Sequence, residues 1–100
     1  MLTIEYDKDA KPVADAAARE VAKSVVNMYT TSSTNMHYKT SNEILIMAFR
    51  LCIKDGLIPH EEVTFLYQGK EIYPNSNGYL DEWVQGFCGE YEKILCDLLG

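Results

Sequence analysis

Three carboxylates at alternate positions, Glu5, Asp7 and Asp9, stand where the apolar stretch Leu2–Tyr6 (LTIEY) gives way to a polar loop. Oxygen ligands of this kind suit a hard cation such as magnesium. In α/β sheets the carboxyl ends of the strands are where ligands bind. A small magnesium-dependent enzyme using Glu5, Asp7 and Asp9 is therefore one alternative for this chain. The plainer role for the same acids is to favour the positive N-terminal end of the helix that follows. Lys8 and Lys11 interleave them and no second acidic cluster is evident, so the plainer role is the expected one, with no metal and no cofactor.

Other chemistry finds less to work with. No G-x-x-x-x-G-K-[ST] and no G-x-G-x-x-G occurs, so a nucleotide phosphate has no recognisable cradle. Cys52, Cys88 and Cys96 form no C-x-x-C pair, and two of them sit in apolar helical patterns, where a reduced thiol behaves as a small hydrophobe. Their odd number and placement predict a reducing cytoplasm without a disulfide framework. His37 and His60 lie far apart and beside no cysteine, which disfavours zinc. Residues 30–34 and 40–41 are rich in serine and threonine, but no histidine is arranged as an evident base for them. On residue chemistry alone the chain is not expected to be an enzyme.

Charge narrows the partners. All of the formal net charge of -6 falls in residues 61–100, which hold eight acids and two bases; the first sixty residues balance. Such a surface repels nucleic acid and leaves a basic protein surface as the expected partner. There is no N-terminal charged-then-apolar leader and no apolar run long enough to span a membrane, so neither secretion nor membrane insertion is expected. One hundred residues, 47% of them hydrophobic and 24% charged, fit a single globular domain over 1–100.

The elements that must position these residues alternate. Leu2–Tyr6 reads as a strand. Pro12 suits the first turn of a helix. Ala14, Ala17, Ala18, Val21, Ala22, Val25 and Tyr29 then recur at helical spacing. So many alanines imply a close approach to the layer beneath. Residues 36–39 read as a second strand. Ser41 or Asn42 caps a second helix, Glu43–Lys54, apolar on nearly every side and therefore expected to be the most buried. Val63–Tyr67 and residues 71–73 form a hairpin through Gln68, Gly69 and Lys70. The fold expected is α/β: a small sheet with parallel strands in βαβα order joined by right-handed crossovers, then the hairpin and a C-terminal helix over 90–99.

One stretch is unusual for a surface helix. Residues 77–99 hold the only tryptophan, Trp83, in an acidic run with glycines at 78, 86 and 89. A turn and an aromatic wedge over 77–89, then a regular helix, suggest a docking piece. Tyr79, Asp81, Glu82, Trp83, Phe87 and Glu90 are its expected contact residues, because aromatic anchors with a charged rim are typical of binding hot spots. Trp83 and Phe87 could equally close the domain's own core.

Residues 61–99, reading EEVTFLYQG, NGYLDEW, GF and an acidic leucine-rich helix, resemble the C-terminal end of ABC-class AAA ATPases. These are the ones related to overcoming-lysogenization-defect proteins and Septu-type anti-phage ATPases. That end reads roughly G-x-[LI]-x-x-W-P-x-G-F-F-x-E, and Gly78, Leu80, Trp83, Gly86, Phe87 and Glu90 keep it. Val84 replaces its proline and Cys88 its second phenylalanine. Upstream, KTSNEILIMAFR (39–50) is similar to the segment that carries the switch histidine, with Thr40 and Glu43 in place but Ser41 where the histidine belongs. Residues 2–5 and 12–23 resemble the Walker B strand and its helix; Glu5 fits the magnesium-associated acid and Tyr6 stands in place of the catalytic glutamate.

The resemblance implies the C-terminal half of an ATPase lobe without phosphate loop, signature helix, catalytic glutamate or switch histidine. Phosphoryl transfer depends on positioning and charge stabilisation by those groups, so ATP hydrolysis is not expected of this chain alone. What it implies instead is a non-catalytic interaction protein: a decoy, inhibitor or regulator of a partner such as an anti-phage ATPase. A domain completed by homodimerisation is a further alternative, since a small sheet leaves edges to cover.

Overall fold

The computed structural model describes residues 1–32, 34–80 and 98. They form four strands and two helices: β1 (Leu2–Tyr6), α1 (Ala18–Ser32), β2 (Met36–Thr40), α2 (Glu43–Lys54), β3 (Val63–Tyr67) and β4 (Lys70–Ile72). The sheet runs β2-β1-β3-β4, with β1 parallel to both neighbours and β4 antiparallel to β3. The expected α/β class, parallel strands and hairpin are all present.

Alternation decides which face is core. Leu2 and Ile4 of β1 and Val63, Phe65 and Tyr67 of β3 are buried with residues of both helices in one cluster. Thr3, Glu5, His37, Lys39, Leu66 and Glu71 occupy the other side of the pleat. Helices α1 and α2 pack on each other over the first face, and Ala18 and Ala22 permit that approach, each at most 1% exposed. This corrects the expectation of right-handed crossovers. The step from β1 to β2 and the step from β2 back across β1 to β3 go in opposite directions over one face, so the two connections are of opposite hand. The amphipathic α1 and the apolar α2 share that face and pack their apolar sides on each other.

Helix α1 also starts later than expected. Pro12 lies outside it, Ala14 is exposed and extended (φ -65°, ψ 139°), and a 3-10 turn over Asp15–Ala17 precedes Ala18. The reason is Asn42. Its Oδ1 accepts from the backbone N–H of Ile44 (2.8 Å) and Leu45 (3.3 Å), which caps α2. Its Nδ2 donates to the Val13 carbonyl (2.7 Å) and to Asp15 (2.8 Å), which holds the loop open ahead of α1. One side chain thus starts α2 and delays α1. Asn42→Ala is expected to cost about 2 kcal/mol, at the upper end for a cap because the loop ties go too; urea unfolding measures it.

The hairpin turns on two residues, Gln68 (φ 51°) and Gly69 (φ 81°), closed by the pair Tyr67 and Lys70. Two positive φ values make a type I′ turn, which asparagine fits better than glutamine in its first position. Gln68→Asn is therefore expected to raise stability by about 0.5 kcal/mol, read as a higher thermal midpoint. Strand β4 begins at Lys70, a residue expected in the turn, because Lys70 pairs with Tyr67.

Candidate functional site

At the carboxyl end of the sheet, polar side chains bond to the backbone of the loop that follows β1. Ser41 Oγ donates to the Ala10 carbonyl (3.3 Å). Asp7 accepts from the N–H of Asp9 (2.9 Å), and its own N–H donates to the Thr40 carbonyl (2.8 Å). The Tyr6 ring lies 5.6 Å from that of Tyr67, tilted against it. Loop 7–14 is in this way stitched down across the strand ends.

The three acids named from sequence do not converge on a cation. Glu5 points from the open face of the sheet and meets His37 Nε2 at 2.6 Å, with both side chains partly solvated. Asp7 belongs to the loop, and Asp9 is exposed. Among the described residues no group of three histidine, cysteine or acidic side chains is placed to hold a metal. The Glu5–His37 pair is a surface contact of the kind worth under about 1 kcal/mol.

Of the expected docking residues, Tyr79 is described and Asp81, Glu82, Trp83, Phe87 and Glu90 lie outside the described residues, as does the final helix apart from Leu98, which is helical and 77% exposed. Tyr79 is 60% exposed, so its ring faces solvent. The loop that carries it is tightly built. Asn75 Oδ1 accepts from the N–H of Asn77 (2.9 Å) and Tyr79 (3.2 Å). Asn75 N–H donates to the Tyr79 carbonyl (2.8 Å), and Pro74 and Leu80 are bridged as an antiparallel pair. Gly78, at φ 79°, is pressed against α2, and its carbonyl accepts from Arg50 Nε at 2.8 Å.

Between this loop and α2 opens a cleft of about 140 Å³, lined by Met47, Arg50, Leu51, Lys54, Asn77, Gly78 and Tyr79. The helix reads as apolar all round, yet Arg50 is buried while Leu51 is 36% exposed. Met47, Leu51 and Lys54 share one helical stripe at spacings of four and three, and that spacing was the available signal.

Among the described residues, Tyr29 and Cys52 are displaced from their ordinary behaviour. The Tyr29 hydroxyl donates to Glu62 at 2.8 Å, and this bond, with burial and the carboxylate charge, raises its pKa above 10.0. The neutral phenol is favoured in the fold, so its contribution is complete below the unfolded value and is lost as pH rises through the higher folded one. Stability is expected to fall above about pH 10 and to do so less in Tyr29→Phe, as thermal unfolding across that range would show. Burial also pushes the Cys52 thiol up, opposed in part by Lys23. Alkylation mapped by mass spectrometry should find Cys52 unmodified in the native chain and modified in urea.

Comparison with protein-family models, curated proteins and solved structures finds no match. Among the described residues no helix is long and apolar enough to cross a membrane.

Proposed function

We propose that the chain is a non-catalytic protein-interaction domain, a reduced ATPase-like unit that acts in the cytoplasm as decoy, inhibitor or regulator of a partner such as an anti-phage ABC-class AAA ATPase. The observation that carries this reading is the stitched carboxyl end of the sheet. Ser41, at the position the resemblance gives to a switch histidine, is bonded to the Ala10 carbonyl. Tyr6, at the position of a catalytic glutamate, is packed on Tyr67. Ser41 thus ties down the loop, and Tyr6 is packed between strands, which supports a structural use of both positions. The contact surface is taken to be Tyr79 with Asp81, Glu82, Trp83, Phe87 and Glu90.

A thermal shift with magnesium, with and without ATP, separates this from the enzyme reading. A ligand bound only by the native state must raise its stability. No rise is expected with either; a rise at millimolar magnesium or ATP would favour a metal-dependent enzyme. Sedimentation at several concentrations tests homodimerisation through the sheet edges, β2 and β4, and a single monomeric species would remove it.

A further inference from the structure

We infer that Asn77–Gly78 is a site of spontaneous backbone modification, held closed by the fold, and that its reaction dismantles loop 75–80. It is the chain's one asparagine followed by glycine. The chemistry needs no partner and no cofactor. The Gly78 nitrogen gives its proton to a solvent base and attacks the carbonyl carbon of the Asn77 side chain. A nitrogen–carbon bond forms, the bond to the side-chain nitrogen breaks, and ammonia leaves with a proton from water. Water then opens the resulting cyclic imide at either carbonyl. One opening gives aspartate. The other gives isoaspartate, whose backbone runs through the former side chain and is longer by a methylene. Glycine suits the attacking position because no Cβ obstructs the approach.

The other asparagines are placed differently. Asn42 and Asn75 have their side-chain oxygens committed to backbone N–H groups, and Asn35 Oδ1 accepts from the Met1 amino group (3.0 Å). Asn27 lies inside α1. Asn77 is exposed, and among the described residues its side-chain amide has no hydrogen-bond partner. Its carbonyl carbon is thus open to attack, and the brake lies on the nucleophile. Gly78 N–H donates to the Asn75 carbonyl at 2.9 Å, and Gly78 is buried against α2 at a φ of 79°. The Gly78 carbonyl accepts from Arg50 Nε (2.8 Å). Asn75 Oδ1 holds the N–H groups on either side, those of Asn77 (2.9 Å) and Tyr79 (3.2 Å). A nitrogen so bonded and shielded from base cannot swing onto the neighbouring side chain. Reaction waits for local opening of the loop, and its rate follows the open fraction.

The product cannot rebuild the loop. With a methylene added to the backbone, the N–H groups of Gly78 and Tyr79 no longer reach the Asn75 carbonyl and Oδ1 together, and the Tyr79 ring loses its fixed place. Either product also carries an added carboxylate, ionised at neutral pH.

The full chain is held in mildly alkaline buffer, with and without urea. Conversion is followed by peptide mapping, with electron-transfer fragmentation to tell isoaspartate from aspartate. Conversion at Asn77 is expected in urea, and at least about tenfold more slowly in the native chain. Asn75→Ala, read below its thermal midpoint, removes both bonds to Oδ1 and should speed the native reaction about tenfold. Asn75→Asp keeps an acceptor there and should stay within about twofold of the original chain. Gly78→Ala should suppress most of the conversion in urea, where the fold plays no part. The isoaspartate form, separated by ion exchange, should show displaced Gly78 and Tyr79 amide resonances. Absence of conversion in urea removes the site, and equal rates with and without urea, or an unchanged rate in Asn75→Ala, remove the brake. An unmoved Tyr79 amide removes the consequence; each of these overturns the proposal. None of them bears on recovery of a partner from cells, which tests the function separately.

Discussion

Replacing Phe49 by alanine is expected to cost about 4 kcal/mol of folding stability. Phe49 is 1% exposed, lies on the inner face of α2, and meets the Tyr38 ring of β2 edge-on at 5.7 Å. Its removal leaves a void between a helix and a sheet edge that are both held by their backbones, so the site can collapse only in part. A domain of this size has about 5–15 kcal/mol in total, and the variant should sit close to its unfolding threshold. Urea unfolding measures the loss. Leu51→Ala, two residues on but 36% exposed, should cost under about 1 kcal/mol. Equal losses at the two positions would contradict the burial pattern of α2.

Gly78→Ala is expected to cost about 3 kcal/mol, by two separate mechanisms. Its φ of 79° is unfavourable for any residue with a Cβ, and that Cβ would lie 2.4 Å from the Arg50 carbonyl oxygen. The obstacle is helix backbone, which cannot turn aside as a side chain can. Gly69 and Gly56 provide the internal controls, with φ values of 81° and 77° and open space around the added carbon. Gly69→Ala and Gly56→Ala should each cost only about 1 kcal/mol, the backbone part alone. The difference, read from thermal midpoints, isolates the contact between the loop and α2. Because the same contact fixes Tyr79, Gly78→Ala should also weaken any partner that uses that ring, even at temperatures where the chain stays folded.

Much of this architecture is legible in the residues. Leu2–Tyr6, Glu43–Lys54 and Val63–Tyr67 occur as their patterns predict, because apolar periodicity, a capping asparagine and β-branched runs act locally. What is not legible depends on long-range partners. The late start of α1 goes with bonds made by Asn42, 29 residues after Val13 in the chain. The placement of both helices on one face follows from their mutual packing, which neither sequence pattern displays alone. The same holds for the candidate site. Tyr79 could be named in advance, since an aromatic in an acidic, glycine-rich stretch stands out. Met47, Leu51 and Lys54 join it only because Gly78 brings the loop against α2. Glu5, Asp7 and Asp9 look like a cluster in sequence, but strand pleat sends Glu5 to His37 while Asp7 caps its own loop.

The central claim is that this chain acts by holding another protein rather than by chemistry of its own. Recovery of the tagged chain from its native host, beside a Trp83→Ala variant of unchanged thermal midpoint, tests it most directly. The expected result is an ABC-class AAA ATPase enriched with the original chain and lost with the variant. Recovery of only unrelated proteins, equal with both chains, would contradict it.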